Sequence, residues 1–343
     1  MKDEDASALL KKGWEKILEG DFESARRTAK EVLAFFPSEP EALTLLGRAL
    51  KELGALDEAL ALFERAAKIE PDYFEAALSA VETHLDYSRD FKEAARIASG
   101  IIDSRVKGKE EVEAVSLARI MRADAMLNMG KAEEAMEDLD SISGPMHLRS
   151  DYMQLRSRVL FETGRLDEAF IELTDLIERE EGNPENHYAL ALVHLKRGEE
   201  EEAVWEFQRV LELESMAQSP NSSKLSVEEF ENLADRVIES LPDELSKKLG
   251  NVDIVVQGRP TPELVEDGVD PRAPGFFEQH EIEGGDVKGE VRVILFKDNL
   301  ESYCRSISEL EREIWNTIVR EAEYFLGIQD EQPEHGHDRP GIV

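Results

Sequence analysis

PEALTLLGRALKELGALDEALALFERAAKIEPDY, residues 40–73, is the stretch from which the rest of the chain can be read. Its apolar residues first run at helical spacing through Leu43, Leu46, Gly47 and Leu50. Gly54 then interrupts the pattern, as a tight turn between two helices requires. A second helical run follows with Ala59, Phe63 and Ala66, and Pro71 closes it. Gly47 and Ala59 are small enough for two helix backbones to approach closely, and Phe63 fills the space beside them. A helix pair of this kind has an apolar face that it cannot bury alone.

The unit recurs. Gly20, Ala25 and Pro37 return 34 residues later as Gly54, Ala59 and Pro71. Gly130, Gly164 and Gly198 keep the same interval, as do Ala135, Ala169 and Ala203, and Leu139, Leu173 and Phe207. Six units begin near residues 6, 40, 74, 116, 150 and 184. The third is irregular: Ser88-Arg89-Asp90 replaces the turn glycine and adds a residue. An insertion near residues 106–111 (VKGKEE) then breaks the period.

Length, order and residue types resemble the tetratricopeptide repeat. The resemblance implies an α-solenoid over residues 1–214, whose stacked pairs leave a concave groove lined by the first helix of each unit. By register that groove holds Leu10, Trp14, Thr44, Arg48, Ile120, Asp124, Gln154, Arg158, Tyr188 and Leu192. Trp14, Arg48, Asp124, Arg158 and Tyr188 are the candidate binding residues. Trp14 and Tyr188 would anchor a peptide or helix of a protein partner, although Trp14 packed between helices is an equal expectation. The Lys and Asn pattern with which some tetratricopeptide proteins grip a terminal carboxylate is absent from these positions.

SMAQSPNSSK, residues 215–224, reads as a linker, and the period is lost after it. SVEEFENLADRVIESLP predicts a helix with a capping box at Ser226 and Glu229, an apolar face of Phe230, Leu233, Val237 and Leu241, and a stop at Pro242. Val252, Ile254 and Val256 alternate as in a strand with one buried face, and VRVILF, residues 291–296, is a second strand. Residues 262–289, rich in Gly, Pro and acid, read as one long loop. Ser308 with Glu311 predicts the cap of a last helix, stopped by Gly327. The fold expected is mainly α: the solenoid, then a small α+β domain over residues 225–330, then a disordered tail over 331–343.

Within the last helix lies TIVREAEYFLGIQD, residues 317–330. Together with the Leu-Pro that ends the first helix, the strand running into Arg259-Pro260-Thr261-Pro262, and VRVILF, it resembles a family of small bacterial zincin-like metallopeptidase domains. The family's helix carries His-Glu-x-x-His, which sets two imidazoles on one helix face against a zinc ion, with the glutamate activating the metal-bound water. By that resemblance the two histidine positions fall on Arg320 and Tyr324, the glutamate on Glu321, the glycine on Gly327 and a third ligand on Asp330. Arginine has no lone pair to give and keeps its charge, and a phenol must ionise to bind zinc well. The expectation is therefore a catalytically inactive domain without metal or other cofactor, in which Arg320 pairs with Asp330 or Glu323 in place of the ion. The alternative is an active metallopeptidase with atypical ligands such as His335 and His337, to which the repeats bring substrate.

The charge balance narrows the partners. With 41 basic and 76 acidic residues the formal charge is −35, a field that repels nucleic acid and anionic lipid. No apolar run approaches the roughly 20 residues that span a bilayer. The N-terminus lacks a signal-peptide core, and the single cysteine, Cys304, permits no internal disulfide, so a cytoplasmic location is expected. Cys304 has no evident base beside it and reads as buried or inert. His84, His187 and His194 fall on repeat helices, where packing or solvent roles are usual. No Gly-rich phosphate loop occurs.

Overall fold

Small side chains at a fixed interval bring the helices together in pairs. A computed structural model describes residues 2–104, 108–217, 225–242, 245–247, 252–280, 290–304 and 306–325. The chain forms two compact units, Met1–Leu176 and Ile177–Val343. The first contains α1 (Asp3–Leu18), α2 (Phe22–Leu33), α3 (Pro40–Glu52), α4 (Leu56–Ile69), α5 (Phe74–Thr83), α6 (Phe91–Ile102), α7 (Lys109–Asn128), α8 (Ala132–Asp140) and α9 (Ser150–Glu162). The unit boundary falls inside α10 (Leu166–Arg179).

The period is visible as geometry. Gly20, Gly54, Gly130 and Gly164 all adopt left-handed φ of 71–82°, which lets the chain reverse between the helices of a pair. Gly47 faces Phe63 so closely that a Cβ there would lie 2.5 Å from Phe63 Cε1. Ala25, Ala29, Ala42, Ala49, Ala59 and Phe63 are buried together in one core cluster. Asp21 and Asp90 cap α2 and α6 by accepting from the amides of Ser24 and Glu93.

The irregular third unit absorbs its extra residue locally. A π-helical turn, His84–Ser88, ends α5, and Arg89 takes the left-handed conformation at φ 51° where the other units use glycine. Beyond it the pattern resumes one residue late: Ala94, Ala98 and Ile101 are buried as Ala59, Phe63 and Ala66 are.

The second unit begins with the sixth helix pair, α11 (Pro184–Arg197) and α12 (Glu200–Ala217), joined at Gly198 (φ 75°). Its remaining elements are α13 (Val227–Glu239), β1 (Val252–Gln257), α14 (Pro262–Glu266), β2 (Gly275–His280), β3 (Glu290–Phe296), α15 (Lys297–Tyr303) and α16 (Ile307–Phe325). The three strands lie in the order β1-β3-β2, with β1 parallel to β3 from Val252↔Val291 and β2 antiparallel to it from Gly275↔Leu295. Alternation sends Ile254, Val256, Val293, Leu295 and Phe277 into a core with α13 and α16, built on Phe230, Leu233, Val237, Leu310, Ile314 and Ile318. Val255, Ile294, Phe296 and Phe276 face the opposite side, with Leu264 and Ala273.

Three expectations change here. Residues 262–289 do not form one loop: α14 and β2 lie within it, and residues 281–289 are outside the described part. Gly275 permits the close approach, since a Cβ there would strike the carbonyl of Ile294. The last helix starts at Ile307, two residues before the expected start, with Ser306 Oγ accepting from the amide of Glu309. Ser215–Ala217, expected in the linker, continue α12, and residues 218–224 are outside the described part. The tail over 331–343 is also outside it. The box at Ser226 and Glu229 forms as expected.

Candidate functional site

Position nine of each repeat, counted from the starts given above, carries Trp14, Arg48, Glu82, Asp124 and Arg158 in the first unit. Trp14 is partly buried against the first core, and its indole Nε1 donates to Glu41 Oε1 at 3.1 Å. Arg48 Nη1 lies 2.9 Å from Glu82 Oε2, and its Nη2 lies 3.4 Å from Glu75 Oε1. Lys51 Nζ adds a second cation, 3.0 Å from Glu82 Oε1 and 3.7 Å from Asp86 Oδ2. Arg158 Nη1 stands 3.5 Å from Asp124 Oδ1. Burial raises the pKa of Asp124, with Arg158 opposing, and raises that of Asp86, with Lys51 opposing. The surface is a row of paired charges with an amphipathic indole at one end.

Other residues of the expected groove lie deeper. Leu10, Thr44 and Ile120 are buried, and Thr44 Oγ1 donates to the carbonyl of Pro40. Tyr188 is buried as well: its hydroxyl donates to Asp270 Oδ2 at 2.8 Å, and the Arg272 guanidinium covers its ring at 4.4 Å. It is no open anchor, because the segment that follows α14 already occupies it. Glu41, Glu75, Glu82 and Lys51 were absent from the sequence-based list. The signal for the three glutamates is arithmetic: 14 to 41 and 48 to 75 are both 27 residues, and 48 to 82 is one full period.

The second candidate site sits on α16. Leu310, Ile314, Ile318 and Ala322 recur every four residues and bury one face of this helix in the core. Thr317 and Glu321 flank that stripe and are buried too. Arg320 is half-buried, with Nε 3.6 Å from Glu321 Oε1. Burial pushes the Glu321 carboxyl up to about 7, against the attraction of Arg320. Tyr324 lies in the last turn of α16, and Asp330, Gly327, His335 and His337 lie outside the described residues.

A guanidinium next to a carboxylate, as Arg320 and Glu321 stand, does not suit a divalent ion. Where the resemblance puts the first ligand, a guanidinium, which can only donate, stands beside the Glu321 carboxylate. Among the described residues no group of three or more His, Cys, Asp or Glu side chains is placed to hold a metal. Two histidines on repeat helices are engaged with carboxylates: His187 Nδ1 is 2.6 Å from Glu206 Oε2, and His194 Nδ1 is 2.6 Å from Glu199 Oε2. Cys304 is buried. No described helix is long and apolar enough to cross a membrane.

Comparison with known proteins agrees with this architecture. No curated protein matches the chain. Among solved structures, PilW, a type IV pilus biogenesis factor, superposes with a TM-score of 0.56 at 14% identity, over 64% of this chain and 97% of that one. A tetratricopeptide repeat protein from Parabacteroides merdae gives 0.45 at 16% identity, over 64% and 81%. YrrB, described as a TPR protein with an unusual peptide-binding site, gives 0.43 at 14%, over 54% and 91%. The tetratricopeptide repeat family matches residues 16–85, and the zincin-like metallopeptidase family matches residues 249–336, so the chain is similar to the first family near one end and to the second near the other.

Proposed function

We propose that this protein is an interaction scaffold. Its repeats take a protein or peptide segment along the row of position-nine side chains, and its zincin-like region is a pseudo-metallopeptidase. The repeat architecture itself suggests protein or peptide partners. Trp14 supplies an amphipathic anchor, while Arg48, Asp124 and Arg158 supply polar selection. The C-terminal region then serves as a second contact surface, in a cytoplasmic protein that binds neither nucleic acid nor membrane.

One observation carries the inactive reading: the Arg320 guanidinium lies 3.6 Å from Glu321, where an imidazole would have to bind the ion. A fixed positive charge at that point opposes a dication and offers it no lone pair. The rival reading, a metallopeptidase with atypical ligands, draws on Glu321 itself, whose pKa near 7 would suit a proton acceptor.

Elemental analysis of the purified protein separates the two. Metal-free protein, with partner capture unchanged by Glu321→Gln, supports the scaffold. Stoichiometric zinc, with peptide cleavage lost in Glu321→Gln, sinks it.

A further inference from the structure

The most elaborate polar site in the second unit has no place in the reading above. Arg272 is buried with its guanidinium carbon over the Tyr188 ring, 4.4 Å from the centroid. Its Nη1 and Nη2 reach Glu185 Oε2 and Oε1 at 2.9 and 2.6 Å, and its Nε donates to Glu214 Oε1 at 2.8 Å. An aromatic face with two carboxylates around its edge is what recognises a planar cation. Burial alone would lower the pKa of Arg272, yet the bonds and charges of Glu185 and Glu214 hold it above the ordinary value.

The backbone that presents Arg272 is gripped from the other side. Asn299 Nδ2 donates to the carbonyls of Pro271 and Ala273 at 2.9 and 2.8 Å. The Tyr303 hydroxyl donates to the carbonyl of Arg272 at 2.6 Å. Asp270 accepts from the Tyr188 hydroxyl and, through Oδ1, from the Arg272 amide at 2.7 Å. Val265 of α14 completes the contact by entering a core with Tyr188, Ala191, Phe207 and Val210. One face of the turn is held by α15, and the other delivers an arginine to the sixth helix pair.

Glu185 and Tyr188 hold repeat positions two and five. Position two is filled by Glu41 and Glu75 in earlier repeats, and there it accepts an indole N–H and a guanidinium. We propose that the sixth helix pair carries an arginine-recognition pocket made of Glu185, Tyr188 and Glu214, and that Arg272 fills it in cis as an internal ligand. The partner it fits is a peptide bearing an arginine in an extended or turn segment, which enters only when the 270–273 segment withdraws. The inference rests on the reading of the repeats as a peptide-binding surface. A tethered ligand competes at an effective concentration on the order of millimolar, so a free peptide is excluded from the intact protein.

The test uses the full chain and a fluorescein-labelled peptide copying residues 268–275, GVDPRAPG. The intact protein should bind it weaker than Arg272→Ala does, by about tenfold or more. Adding Glu185→Gln and Glu214→Gln to Arg272→Ala should abolish binding, and so should replacing the peptide's arginine by citrulline. If Arg272→Ala loses helical circular dichroism, Asn299→Ala with Tyr303→Phe loosens the same turn while leaving the pocket intact, and it too should gain peptide binding. A folded variant of either kind that gains no binding, or binding that survives citrulline, overturns the proposal. Because the peptide is measured without any cellular partner, failure to capture a partner on the repeats would refute the scaffold reading and leave this result standing.

Discussion

Arg48 and Glu82 occupy the same position of successive repeats, 34 residues apart, and their side chains meet at 2.9 Å. Asp124 and Arg158 stand in the same relation at 3.5 Å with the charges reversed. The period therefore fixes which side chains face one another from repeat to repeat, as well as which residues are buried.

Reversing one charge of the first pair should weaken the stack, and reversing both should restore it. Arg48→Glu and Glu82→Arg are each expected to lower stability, with the double variant recovering a coupling of about 0.5–1 kcal/mol, since both groups are partly exposed. Urea titration of the four proteins measures it. Strictly additive losses would show that the pair contributes nothing.

The approach of α3 to α4 leaves no room for a methyl group. Gly47→Ala places a Cβ 2.5 Å from Phe63 Cε1, and overpacking of this kind costs about 1–3 kcal/mol. Pairing it with Phe63→Leu should return part of the loss. An alanine variant as stable as the parent would mean that the two helices separate more easily than their packing implies.

Asp138 is buried on α8 and binds Arg122 through Nε and Nη2 at 2.7 and 2.6 Å, with Arg119 at 3.2 Å. Asp138→Ala leaves two partly solvated guanidinium groups without their carboxylate, a loss below the roughly 3–5 kcal/mol of a fully buried pair but still on the order of 2 kcal/mol. Replacing Arg119 alone should cost far less, because Arg122 keeps both of its bonds. Thermal melts of the two single variants give the comparison, and equal losses would contradict it.

Glu321 gives a pH dependence whose sign follows from its raised pKa. Below its ordinary value of 4.5 the carboxyl is protonated whether folded or unfolded, and its burial then carries no charge penalty. Between 4.5 and about 7 the unfolded chain ionises first, so stability falls as pH rises. Above about 7 the full penalty applies, on the order of 3 kcal/mol for a shift of this size. Glu321→Gln should therefore raise the melting temperature at pH 8 and leave it nearly unchanged at pH 4.5. A gain that is the same at both values would place the cause elsewhere.

Much of this molecule is legible in its sequence. The helix pairs, the turn glycines and the strands at 252 and 290 follow from periodicity, because the small residues at close crossings allow few substitutes. β2 is hidden in the sequence, since its six residues sit among glycines and prolines, and its two adjacent phenylalanines mask the alternation. Register assigns Tyr188 to the groove, and it cannot reveal the cover that buries it. Asp270 and Arg272 lie more than 80 residues downstream, and periodicity carries no information about contacts outside the repeat. On α16 the letters show an arginine at the position to which the resemblance assigns a histidine. They do not show the burial of Glu321 beside it, since it depends on how α16 lies against the sheet.

The π-helical turn at His84–Ser88 shows how this architecture tolerates a change in length. The surplus residue is swallowed within five positions, and Ala94, Ala98 and Ile101 then take up the buried places that Ala59, Phe63 and Ala66 hold one repeat earlier. Genes for such arrays can thus gain or lose single codons near an inter-helix turn without scrambling everything after them. Deleting one residue between 84 and 88 and restoring glycine at the turn should yield an ordinary repeat, with the downstream stack undisturbed.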